Sequence, residues 1–367
     1  YVDIVTSGTI VGNFNTVEFA PRSDFLLFPS ASQSFQRLDR RSVGAAAYAV
    51  DWSPMDTYLL VGTNESTSNN EVQIYAWSDT TKTLTLKAGI NGSFFTNEVR
   101  WQPTFTTIPY FFVVATSAGL RSYSFNPNTS AIASVNSQTV SSRFHAVDWA
   151  PSGTYLATSR FRSSDRDVIE IYSVSNGVMN LKATSSALPG SRHVYYSGIA
   201  WNKLGNYLAV GTDLSGANFL TGYYTLFLFS YNGASLSLVQ SIRLAPTSST
   251  TYGSPILTTE WSHDGTLLAV GLGGSTTETL TNKIRVFKFD VTAAPNYLTE
   301  ITSYRNGETR DVYNISWSPD DSKLAYVRQT GSNYELKACI VDRNVQQLVL
   351  YAHGTINSDR KSTRLNS

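Results

Sequence analysis

A single cysteine, Cys339, stands in a chain of 367 residues, which excludes an intramolecular disulfide framework. It sits in the alternating stretch Tyr334-Glu-Leu-Lys-Ala-Cys-Ile-Val341, so a packed strand thiol is expected rather than a nucleophile. Charge is scarce as well: Asp, Glu, Lys and Arg make up 15% of the chain and the net charge is +1. That balance leaves no electrostatic footprint for nucleic acid. Arg37 to Arg41, the nearest thing to a basic run, is interrupted by Asp39 and reads as a solvated turn. No apolar run reaches the roughly 18 residues of a membrane span, and no leader peptide is recognisable.

Catalytic signatures are missing too. There is no Gly-x-Ser-x-Gly elbow, no His-Glu-x-x-His helix and no phosphate-binding glycine loop. Gly271-Leu-Gly-Gly-Ser-Thr276 follows a strand but leads into another strand, so no helix N-terminus is available to a phosphate. The four histidines lie far apart, at 145, 193, 263 and 353.

What the chain does have is one phrase repeated. Tyr48-Ala-Val-Asp-Trp-Ser-Pro54 recurs in variants around Trp101, Trp149, Trp201, Trp261 and Trp317, and a copy with Phe for Trp centres on Phe19. The anchors are spaced 33, 49, 48, 52, 60 and 56 residues apart. The first interval is abbreviated, with room for two full strands and a short third over 34–38; a period of this length with four strand-like segments per unit is the signature of a β-propeller. The repeat at Trp261 predicts strands over 256–261, 266–271, 283–289 and 297–304, with an Asp264-Gly265 turn between the first two. In five other repeats a proline stands two residues past the anchor (Pro21, Pro54, Pro103, Pro151, Pro319) and ends the first strand. Leucine stands seven residues past the anchor in six repeats: Leu26, Leu59, Leu156, Leu208, Leu268 and Leu324. Such constancy implies one turn type reused, because a one-residue slip would turn the leucine to the other face.

The fold expected is therefore an all-β propeller of four-stranded antiparallel blades, seven by anchor count, with six and a decorated N-terminus as the alternative. Val2 to Ile10 is strand-like and can supply an outer strand. Residues 1–358 read as one domain. Residues 359–367, Asp-Arg-Lys-Ser-Thr-Arg-Leu-Asn-Ser, resemble a translated sequencing adapter and are set aside as an assembly scar.

The texture Trp-Ser-Pro-Asp-x-x-x-Leu-Ala resembles that of WD-repeat propellers and of TolB-type propellers. Ile315-Ser-Trp-Ser-Pro-Asp-Asp-Ser-Lys-Leu-Ala-Tyr326 is closest to the TolB type, and the copies at Trp52, Trp201 and Trp261 lean toward the WD type. The Trp-Asp pair that ends a WD third strand is replaced here by Tyr75-Ala76, Tyr172-Ser173 and Phe287-Lys288. The His–Asp network of WD repeats is therefore expected to be absent. The resemblance implies a fold and no particular activity.

Loop lengths give the functional expectation. The turns after the first and third strands are short, whereas 91–97, 185–196, 214–222, 245–255, 273–282 and 304–311 are long and rich in aromatics. Long loops on a rigid scaffold are the usual place for recognition. The expected binding face comprises Phe94, Phe95, Arg143, His145, Arg192, His193, Tyr195, Tyr196, Tyr252, Arg305 and Arg310. The reading is a non-enzymatic scaffold, with a protein partner foremost and a glycan second. It expects no catalytic residues, cofactor or metal, no nucleic acid, no membrane insertion, and a monomer that is exported or at the cell surface. The alternatives are a glycan-binding or sensor module of a larger protein, and a propeller hydrolase using His145 and His193 with Asp165 or Asp167.

A second constellation is the residue before each anchor: Glu18, Asp51, Arg100, Asp148, Ala200, Glu260 and Ser316. Equivalent positions on successive blades share one height along the axis. Four carboxylates and an arginine there are expected to bond donors between blades rather than to hold a cation such as calcium.

Overall fold

The computed structural model describes residues 2–5, 37–64, 70–105, 107–138, 143–162, 166–188, 193–213, 225–244, 255–273, 283–301, 308–330, 333–343 and 347–356. Strand β1 (Val2–Val5) pairs antiparallel with β2 (Arg37–Arg41). Blade I holds β3 (Ala47–Trp52), β4 (Tyr58–Thr63), β5 (Val72–Ser78) and β6 (Thr83–Ile90). Blade II holds β7 (Thr96–Trp101), β8 (Tyr110–Thr116), β9 (Gly119–Asn126) and β10 (Ala131–Gln138). Blade III holds β11 (Phe144–Trp149), β12 (Tyr155–Arg162), β13 (Arg166–Ser175) and β14 (Val178–Thr184). Blade IV holds β15 (His193–Trp201), β16 (Tyr207–Asp213), β17 (Leu226–Tyr231) and β18 (Leu236–Ile242). Blade V holds β19 (Ile256–Trp261), β20 (Leu267–Leu272), β21 (Ile284–Phe289) and β22 (Leu298–Glu300). Blade VI holds β23 (Val312–Trp317), β24 (Lys323–Thr330), β25 (Asn333–Asp342) and β26 (Gln347–Ile356).

Each blade is a meander whose strands pair in chain order. Among the described residues there are six four-stranded blades, the smaller of the two expected counts. The Phe19 anchor, with Glu18 and Leu26, lies outside the described residues. The run 37–41 is strand β2 rather than a solvated turn. It is held against blade I because the Asp39 carboxylate accepts the Leu84 N–H at 2.6 Å while Arg41 pairs with Asp39 at 3.0 Å.

The repeated phrase encodes one hairpin. Trp52 lies opposite Leu59, Trp149 opposite Leu156, Trp201 opposite Leu208, Trp261 opposite Leu268 and Trp317 opposite Leu324. Where blade II lengthens its turn, Trp101 faces Phe112 instead. Asp56, Gly153, Gly205, Gly265 and Asp321 occupy the same turn position, all with positive φ. All six anchor tryptophans are buried, Trp317 completely. Burying side chains of this size between sheets supplies a large share of blade-to-blade stability. Cys339 is buried on β25 beside Trp317 and Leu324, as its alternation predicted.

Close approach of neighbouring blades is set by glycine. A Cβ on Gly271 of β20 would stand 2.6 Å from Thr258 and 2.9 Å from the Val312 carbonyl oxygen of the next blade. Gly211 of β16 and Gly62 of β4 meet the next blade's first strand in the same way, at Ile256 and Thr96.

Candidate functional site

The first strands β3, β7, β11, β15, β19 and β23 wall a cavity of about 390 Å³ at their anchor ends. Its lining includes Trp52, Trp101, Trp149, Trp201 and Trp261, with Pro54 and Pro103 marking the side of the short turns. Asp51, Arg100, Asp148, Ala200, Glu260 and Ser316, the residues before the anchors, all face into it.

The carboxylates in this ring bridge blades. Asp148 accepts the backbone N–H of Trp201 at 2.7 Å, Asp51 accepts that of Trp101, and Glu260 accepts that of Trp317. Acids thus stand on blades I, III and V, and each takes an N–H from the following blade. Glu98 of β7 joins blades II and III by accepting the Val147 N–H at 2.8 Å. Arg100 is held at 2.8 Å by Glu98 and at 3.5 Å by Asp51. The inter-blade donors expected for these positions are therefore backbone amides of the next anchor.

Packing alters the acidity of two of them. Loss of hydration raises Asp148 to about 7, opposed by Arg100 and the Trp201 N–H and reinforced by Glu98. Loss of hydration likewise raises Glu260 to about 8, with the charges of His263 and Arg100 opposing and that of Asp148 reinforcing. At neutral pH Glu260 is mainly a neutral acid, while Asp148 is divided between its two forms.

Several polar atoms on the lining residues have no hydrogen-bond partner within the protein: Trp101 Nε1, Trp201 Nε1, Thr259 Oγ1 and Glu260 Oε2. Elsewhere the indole N–H is used between blades. Trp261 Nε1 donates to the Ala200 carbonyl at 3.0 Å, and Trp317 Nε1 to the Glu260 carbonyl at 3.2 Å. Buried donors and acceptors without partners are uncommon in folded proteins.

Of the eleven residues expected to form a binding face, the five whose side chains are described, Phe94, Phe95, Arg143, His145 and Arg310, are not among the residues lining this cavity. Phe94 is corrected outright. It is 1% exposed in the core between blades I and II, with the Arg121 guanidinium 5.0 Å from its ring centroid. Phe95 is partly buried against Tyr48, centroids 4.6 Å apart. Arg143 and Arg310 are exposed. His145 points between blades III and IV, its Nδ1 3.1 Å from the Val194 carbonyl and 3.5 Å from Asp167. Asp167 also accepts the Val194 N–H at 2.7 Å, so the His145–Asp167 pair secures a blade junction. Arg192, Tyr252, Arg305 and Asp165, together with the side chains of His193, Tyr195 and Tyr196, lie outside the described residues.

The short-turn side carries its own blade-to-blade contacts. His263, which stands where other repeats have proline, donates its N–H to Asp321 at 2.7 Å, and its Nδ1 lies 3.0 Å from the same carboxylate. Arg343 pairs with Asp264 beside it. Among the described residues no helix is long and apolar enough to cross a membrane.

No family model matches the sequence, and no curated protein matches it. Solved structures do resemble it in fold. A periplasmic gluconolactonase of Pseudomonas aeruginosa superposes with a TM-score of 0.64 at 16% identity, covering 97% of each chain. A Bacteroides uniformis protein assigned as a 6-phosphogluconolactonase gives 0.62 at 13% identity, covering 88% of this chain and 89% of the other. The Cps50 (Swd1) β-propeller domain of Myceliophteria thermophila gives 0.56 at 10% identity, covering 82% and 85%. At these identities the likeness shows a β-propeller, with a WD-repeat type among the similar structures.

The expectation of a non-enzymatic scaffold is corrected here. Propellers that act on lactones stand among the structures most similar to this chain. The missing motifs do not decide against an enzyme, for a physical reason. A propeller gathers its axial residues from strands about 50 residues apart, so no local pattern announces them.

Proposed function

We propose that this chain is a propeller hydrolase that opens a cyclic ester, a lactone, in the axial cavity. The observation that carries the reading is the pair of acids with raised pKa, Asp148 and Glu260, lining one tryptophan-walled space. Carboxyl groups with raised pKa can serve as base and acid near neutral pH. Ionised Asp148 takes a proton from water as its oxygen bonds to the lactone carbonyl carbon. Protonated Glu260 gives its proton to the ring oxygen as the carbon–oxygen bond breaks, leaving a hydroxy acid. Lactones as the substrate class are supported by the activities of the similar propellers.

The Trp-Ser-Pro texture fits such a reading, since it builds blades and leaves the axial residues free to vary. Export is supported by the low charge of the sequence and by the periplasmic location of one similar propeller.

The experiment is a pH-stat assay of the purified chain on a panel of five- and six-membered lactones, glucono-δ-lactone included. Proton release well above the spontaneous rate on at least one lactone is expected. No acceleration on any of them, with the protein folded by circular dichroism, overturns the reading.

A further inference from the structure

The charge balance of the cavity bears on which lactone it takes, an inference that rests on the hydrolase reading for its substrate class. Among the described lining residues the cationic side chain is Arg100, and it is already bound by Glu98 at 2.8 Å and Asp51 at 3.5 Å. Asp51, Asp148 and Glu260 face the same space, with no lysine or histidine among the lining residues described. A phosphate group entering here meets carboxyl groups and finds no uncommitted cation. Phosphate sites in proteins are built from arginine forks, lysines or clustered backbone N–H groups at a helix N-terminus, and the described wall consists of strands and their short turns.

We infer that the axial cavity takes a neutral lactone and rejects the same lactone carrying a phosphate. Both acids already sit above their ordinary range from loss of hydration, so added negative charge is resisted further.

The test reads binding, not turnover, so it stands apart from the hydrolase reading. Glucono-δ-lactam, a neutral unreactive analogue, and its 6-phosphate are titrated into the intact chain while tryptophan fluorescence is followed. Saturable quenching by the lactam is expected, with the phosphate at least roughly tenfold weaker, as like-charge juxtaposition demands. If the lactam binds, the phosphate does not, and no lactone is hydrolysed, the hydrolase reading fails and the selectivity stands. Equal or tighter binding of the phosphate overturns the inference, and so does the absence of quenching by either compound.

Discussion

The Asp148 carboxylate of blade III accepts the Trp201 backbone N–H of blade IV at 2.7 Å, and the same carboxylate faces the axial cavity. One residue thus staples two blades and presents a group of raised pKa to a ligand. The acids of blades I and V, Asp51 and Glu260, repeat the arrangement with Trp101 and Trp317.

Stability should therefore fall with rising pH. An acid whose folded pKa lies above its unfolded value favours folding fully below the unfolded pKa, and that contribution is lost up to the folded pKa. For Asp148 and Glu260 the window runs from about 4 to about 7 and about 8 respectively. Asp148→Asn and Glu260→Gln keep an acceptor oxygen and remove the ionisation. Each should gain about 1–3 kcal/mol over wild type at pH 9, and little at pH 4, in urea unfolding. Parallel curves for wild type and variants would mean that the two acids titrate normally.

His263 should titrate above the usual histidine range, because the Asp321 carboxylate holds its Nδ1. The contact stabilises the fold while the imidazole is charged and fades as pH rises through the raised value. Half of the His263 side chain is exposed, so the effect stays below about 1 kcal/mol. Proton NMR checks it directly: Asp321→Asn should lower the His263 pKa.

Trp317→Ala removes a completely buried indole and its bond to the Glu260 carbonyl at 3.2 Å. A loss of about 3–5 kcal/mol in denaturant unfolding is expected. Trp317→Phe keeps most of the apolar area and should cost clearly less.

Gly271→Ala places a methyl 2.9 Å from the Val312 carbonyl oxygen, where backbone must give way. A loss of about 1–3 kcal/mol is expected. Gly233→Ala is the comparison, since its Cβ would meet nothing nearer than 3.9 Å and only its positive φ opposes the change. Denaturation midpoints of the two variants should be ordered accordingly.

The hairpins were legible because the spacing between Trp and Leu is local. Trp52 to Leu59 and Trp317 to Leu324 pair as the seven-residue interval requires. Placement of Asp51, Asp148 and Glu260 directly before their anchors was legible for the same reason. Their altered acidity was not, since it arises from packing blades separated by some 50 residues. Phe94 shows the converse error. It lies in a loop-like stretch, yet Gly92 brings the chain so near that a Cβ there would fall 1.9 Å from the Phe94 ring, and the ring turns inward. Aromatic content in a loop does not say which way the rings face.

The central claim is that Asp148 and Glu260 are the base and acid of a lactone hydrolase. The most direct measurement is kcat against pH for wild type, Asp148→Asn and Glu260→Gln, on the best lactone of the panel. The account predicts a wild-type profile with a rising limb near 7 and a falling limb near 8, from the two raised values. Asp148→Asn should lose the first limb and Glu260→Gln the second, each with a fall in kcat of about 100-fold or more. Variants that keep the wild-type rate and profile would contradict it.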